Sequence, residues 1–152
     1  MNTNYTELID SFETCNIDVN IFGHVDHVGV AYEMLRRYDF LKATVRYADS
    51  INTIANKVGA AHKFNMTITL AFLSLIAERM EVTLHDTFDE FISQNQDLLS
   101  RNFLEQWYLP ERLQCDLART VFLMPNVIPS SPVKNSSVNK VYSTDMPEKK
   151  LE

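Results

Sequence analysis

Hydrophobic positions along this chain recur at spacings of three and four rather than two, and that spacing predicts a succession of helices. The first covers about 4–14, with Leu8, Ile9 and Phe12 on one side and acidic residues opposite. An irregular link at 16–20 separates it from a second helix, which opens in Phe22-Gly23-His24-Val25-Asp26-His27-Val28 and runs through Ala31 and Leu35 to Arg37. Two of the chain's four histidines thus share a helical face with apolar residues. A third helix begins near Asp39, whose carboxylate suits an N-cap, and places Val45, Ala48, Ile51, Ala55 and Val58 at helical spacing before Gly59 ends it. Its other face, Arg46, Asp49, Ser50, Thr53 and Lys57, reads as solvent-facing.

The fourth helix, about 64–80, differs in kind, because Met66, Ile68, Leu70, Ala71, Phe72, Leu73, Leu75, Ile76 and Ala77 leave almost no polar face. A helix apolar nearly all round is one that other elements surround, so this is the expected centre of the fold. Phe88, Phe91, Ile92, Leu99, Phe103 and Trp107 keep an approximate helical period over 87–108, with a break expected at Asn95-Gln96. Pro110 suits the first turn of a last helix carrying Leu113, Leu117 and Val121. From Pro125 the composition turns to Pro, Ser, Asn, Lys and Glu, which cannot bury enough surface to offset ordering entropy. The expectation is therefore an all-α, single-domain bundle of five or six helices around a central apolar helix over 1–124, followed by a disordered tail over 125–152.

Composition sharpens this picture. A chain of 152 residues supports one domain, and 45% hydrophobic residues with only three Gly and five Pro argue against a turn-rich β architecture. A formal net charge of -6 repels nucleic acid and anionic membranes unless a basic patch intervenes, and Arg36-Arg37 and Lys149-Lys150 are isolated pairs. Neither partner is expected, and the oligomeric state stays open. Cys15 and Cys115 form no CxxC or zinc spacing, no secretory signal opens the chain, and no apolar run approaches the roughly 18 residues of a membrane span. A reducing cytoplasmic setting is expected, in which the sequon Asn65-Met66-Thr67 is idle.

Candidate chemistry gathers at the starts of two helices. His24 and His27, three positions apart, can reach one common point. Such a pair suits a divalent metal, zinc or iron, if further ligands join it. Asp26, His62, His85 and Glu78 are the candidates, although spacing brings none of them to the pair. Otherwise the imidazoles hydrogen-bond to nearby backbone or carboxylates, and Asp26 complements the helix dipole. In the fourth helix Asn65 and Thr69 share one face, while Thr67, Ser74 and Glu78 fall on another. Polar side chains in so apolar a helix either bond back to the backbone or face a cavity. Glu78 is expected to reach solvent or pair with Arg79, and Lys63 beside the free first-turn amides suits an anionic group. Nucleophile elbows, P-loops and dinucleotide fingerprints are missing from the sequence.

The run Phe22-x-His24-x-Asp26-His27-Val28-x-Val30-Ala31-Tyr32-x-x-Leu35, then Lys63-Phe64-x-x-Thr67-Ile68-Thr69, then Leu117-Ala118-Arg119-x-x-Phe122 before Pro125, resembles a family of small uncharacterised bacterial helical proteins. Their pattern is a paired-histidine helix, a Lys-Tyr-His-x-Thr-x-Thr segment and a closing Ala-Arg-x-x-Phe stretch near a proline. The resemblance spans about 22–125 and implies a three-imidazole site for a metal or for acid–base work. It carries no established activity. Asn65 stands where the pattern has histidine, and a carboxamide does not titrate near neutral pH. Leu109 stands where the resemblance implies a capping serine.

Together these readings predict a polar pocket built from His24, His27, Asn65, Thr67 and Thr69 with Tyr32 and Lys63 at its rim, binding a small molecule. The alternatives are a metal-dependent or acid–base enzyme using the same groups on a small substrate, and a non-catalytic interaction protein.

Overall fold

The computed structural model describes residues 3–128. Its α-helices are α1 (Tyr5–Glu13), α2 (His24–Arg37), α3 (Phe40–Lys57), α4 (Met66–Val82), α5 (Phe88–Gln94), α6 (Pro110–Gln114) and α7 (Asp116–Thr120). Short 3₁₀ turns at Ala61–Lys63, Gln96–Leu99 and Phe103–Gln106 complete it, and no strand occurs among the described residues. The fold is all-α, a single helical domain as expected.

The central role of α4 follows from its sequence. Thr67, Thr69, Ala71, Phe72, Leu73, Leu75 and Ile76 are buried, and the helix packs against α2, α3, α7 and the Phe103–Gln106 turn. α1 lies across α2 and α3. Gly29 of α2 permits this, because a Cβ there would overlap the Tyr5 ring. Tyr5 in turn meets Phe88 edge-on at 4.8 Å.

Local signals place several boundaries. Asp39 caps α3, its Oδ1 accepting from the Lys42 amide at 2.9 Å. Gly59, at φ +70°, supplies the left-handed residue just after α3. The face of α3 differs from the expected one: Ala43, Tyr47, Ser50 and Ile54 are buried, whereas Val45 and Val58 are half exposed. Two stripes of similar hydrophobicity compete on this helix, and the one carrying the large Tyr47 ring faces the core.

The stretch 87–108 breaks at Asn95, near the expected point. Asn95 is buried, donates from Nδ2 to the Phe91 carbonyl at 2.8 Å and accepts from Arg79 at 2.9 Å. Arg79 also grips both carboxylate oxygens of Asp97, at 3.1 and 3.0 Å. Glu78 is exposed, so Arg79 pairs across the fold rather than with its neighbour. After the break the chain forms two 3₁₀ turns instead of resuming an α-helix. The expected last helix is likewise two five-residue helices, because Cys115 is extended (φ -71°, ψ 156°).

Order continues past 124. The amides of Asn126 and Val127 donate to the Trp107 carbonyl at 3.1 and 3.0 Å, and Asn126 Oδ1 accepts from the Leu109 amide at 3.0 Å. Leu109, where the resemblance implies a capping serine, gives α6 no side-chain cap, and that last bond instead ties its amide to the segment after α7. The rest of the anticipated tail, 129–152, lies outside the described residues. Among the described residues no helix is long and apolar enough to cross a membrane.

Candidate ligand-binding cleft

α2 and α4 begin at one corner of the bundle. Gly23 precedes α2, and Asp26 in the first turn accepts from the Gly23 amide at 2.8 Å, fixing the helix start that presents His24 and His27. Asp26 also accepts from the Tyr5 hydroxyl at 3.4 Å. Asn65 caps α4, its Oδ1 accepting from the Ile68 amide at 2.9 Å. Between these starts lies a cleft of about 240 Å³, lined by His24, His27, Tyr47, Ile51, Lys63, Phe64, Asn65, Ile68, Thr69, Phe72, Arg101 and Phe103.

Of the residues anticipated from sequence, His24, His27, Lys63, Asn65 and Thr69 line this cleft, and Tyr32 and Thr67 do not. Tyr32 follows His27 by five positions, a rotation of roughly 140° about the helix axis, which turns it to another side. There it is fully buried against Phe91, Phe88 and His85, at centroid distances of 5.0, 5.4 and 5.4 Å. Thr67 sits two positions from both Asn65 and Thr69, so it too points away. Its hydroxyl donates to the Val121 carbonyl at 2.7 Å and accepts from the Leu123 amide at 3.0 Å, pinning the chain after α7. Sequence reasoning missed Tyr47, Phe72, Arg101 and Phe103 as site residues. Tyr47, a polar-tipped aromatic on a buried stripe, carried a signal; Arg101, in a segment read as helix, carried none.

The two imidazoles are held by different partners. His24 Nε2 lies 2.8 Å from the Leu98 carbonyl, which can only accept, so Nε2 carries the proton. His27 Nδ1 lies 2.9 Å from the Tyr47 hydroxyl. That hydroxyl is buried and meets no other acceptor among the described residues, so it donates to Nδ1 and leaves His27 with its proton on Nε2. Burial, reinforced by the neighbouring His24 and partly offset by Asp26, lowers the His27 pKa to about 4. Burial raises that of Tyr47 far above its ordinary value. The pair is neutral at physiological pH.

The other polar groups divide into spent and free. Both ends of the Asn65 carboxamide are engaged, since Nδ2 donates one N–H to the Leu113 carbonyl at 2.6 Å while Oδ1 caps the helix. The Thr69 hydroxyl donates to the Asn65 carbonyl at 2.8 Å. Lys63 and Arg101 are exposed at the cleft, neither forms an ion pair among the described residues, and no carboxylate lines the walls.

A metal finds no complete ligand set here. Among the described residues no three His, Cys, Asp or Glu side chains converge. His85 lies against Tyr32 and Phe91 with Nδ1 2.9 Å from the Thr83 carbonyl, Asp26 is held by Gly23 and Tyr5, and His62 and Glu78 are exposed. With Asn65 committed and one nitrogen of each imidazole bonded, two imidazoles fall short of a zinc tetrad and lack the carboxylate of an iron facial triad.

In comparisons with known proteins, the chain matches no family model, and neither a curated protein nor a solved structure shows significant similarity to it.

Proposed function

We propose that the protein binds a small molecule in the cleft between the starts of α2 and α4. The observation that carries this reading is the tautomer-fixed His27 set in an apolar wall: a concave site with few, placed polar groups is the usual form of a ligand pocket. Binding is favoured over acid–base catalysis, because a general base works best with a pKa near the operating pH. His27, near 4 and with Nδ1 engaged by Tyr47, offers a neutral N–H donor instead. The volume corresponds to about eight water volumes, which suits a fragment-sized ligand. The net charge of -6 supports a small molecule over nucleic acid as the partner. Kinship with the paired-histidine helical family belongs to the same proposal, supported by the motifs at 22–35, 63–69 and 117–125 alone. So does a cytoplasmic setting, in keeping with Cys15 and Cys115 as free thiols.

The test is a thermal-shift and NMR titration of the full chain with single-ring aromatic compounds, both charged and neutral. At least one should raise Tm in a concentration-dependent way and shift the amides of Ile68 and Thr69. Ile68→Trp, which fills the cleft from a partly exposed position, should abolish both effects. Shifts confined to residues outside the cleft would overturn the reading.

A further inference from the structure

Resting on that reading, we infer that the cleft is built for a small monocarboxylate: an apolar, planar body with one carboxylate directed at Lys63 and Arg101. The charge pattern is the first observation. Arg36, Arg37, Arg46 and Arg79 pair with carboxylates, while Lys63 and Arg101, like Lys42, Lys57, Arg112 and Arg119, form no ion pair among the described residues; of these six, Lys63 and Arg101 are the two that line the cleft. In a protein of net charge -6, the charged side chains lining this cleft among the described residues are the cations Lys63 and Arg101. The second observation is the donor inventory. The Nε2–H of His27 has no protein partner among the described residues, while Asn65 gives one N–H to Leu113 and the Thr69 hydroxyl gives its proton to the helix backbone. That N–H is open to solvent, so an acceptor on a ligand would take the place of water there.

The third observation is the wall. Ile51, Phe64, Ile68, Phe72 and Phe103 surround these groups, and Phe72 and Phe103 meet edge-on at 5.7 Å. Inorganic anions would leave that apolar surface unfilled, and a purely apolar ligand would leave the cations and the His27 N–H unanswered. A guanidinium matches a carboxylate through two parallel hydrogen bonds, which a lone ammonium cannot do. Because both cations are solvent-exposed, their contribution is moderate and falls with added salt.

Benzoate, benzamide and benzylamine share one ring and differ in charge, so they separate the contributions when titrated against the full chain by NMR or calorimetry. Benzoate should bind about tenfold more tightly than benzamide at low ionic strength, with benzylamine weakest, and high salt should narrow the gap. Lys63→Gln combined with Arg101→Gln, both at exposed positions, should remove the preference for benzoate. Equal affinity for benzoate and benzamide, or tighter binding of benzylamine, overturns the monocarboxylate assignment and leaves the binding site standing. Failure of all three to shift the amides of Ile68 and Thr69 overturns both. Inorganic phosphate competing with benzoate at equal concentration would count against the requirement for an apolar body.

Discussion

Alanine at position 65 would remove two hydrogen bonds at once. The Asn65 Oδ1 accepts from the Ile68 amide at 2.9 Å, and Nδ2 donates to the Leu113 carbonyl at 2.6 Å. Loss of the cap costs about 1 kcal/mol. The Leu113 carbonyl, on a buried residue, loses its donor, which costs about 1–3 kcal/mol more. The sum, about 2–4 kcal/mol, is a large share of the roughly 5–15 kcal/mol that holds a domain together, and corresponds to a fall in Tm on the order of 10 °C. Asn65→Asp separates the two roles. It keeps an acceptor for the Ile68 amide but replaces the donor to Leu113 with a carboxylate facing a carbonyl. It should therefore be destabilised at neutral pH despite the intact cap, and recover partly in acid, where a protonated carboxyl can donate. Urea unfolding followed by circular dichroism at pH 7 and pH 4 measures both variants. Asn65→Ala within about 0.5 kcal/mol of the wild type would refute the account, a change of the size expected for featureless surface positions. So would Asn65→Asp with wild-type stability at pH 7.

Acidification should expose the cost of charging His27. The group binds a proton near pH 6.5 in the unfolded chain and near 4 in the folded one, so the unfolded state holds more protons in that window. The stability from keeping the ring neutral is fully present above 6.5 and is lost as the pH falls to 4, up to about 3 kcal/mol. The groups around it are His24 and Asp26 on its own helix, Tyr47 opposite, and Lys63 and Arg101 across the cleft. The difference in urea midpoint between wild type and His27→Gln should shrink from pH 7 to 4.5, and an NMR titration placing His27 near 6.5 would sink the argument. Gly29→Ala should displace Tyr5 and loosen α1, lowering stability by about 1–3 kcal/mol as overpacking does, and hydrogen exchange across 5–13 should rise; unchanged protection there would contradict the packing. Thr67→Val preserves shape but strands the Val121 carbonyl and the Leu123 amide, at a cost of about 1–3 kcal/mol, with faster exchange at Leu123 as the specific signature.

The sequence by itself determined the features that act over one or two helical turns. The apolar run over Met66–Val82, the cap at Asp39, the stop at Gly59 and the shared facing of His24 and His27 all follow from helical geometry and nearby hydrogen bonds. The same geometry, taken residue by residue, would have turned Tyr32 and Thr67 away from the cleft. Only the tertiary structure decided which stripe of α3 faces inward, because Val45 and Tyr47 belong to competing stripes and the choice depends on the shape of α4 and α1. It alone brought Tyr47 to His27 and Arg101 to the cleft mouth. The physical reason is packing between distant elements: α3 lies on α2, and for Arg101 the Arg79 contacts with Asn95 and Asp97 hold the chain after α5 against α4; contacts of that kind leave no periodic trace in the sequence.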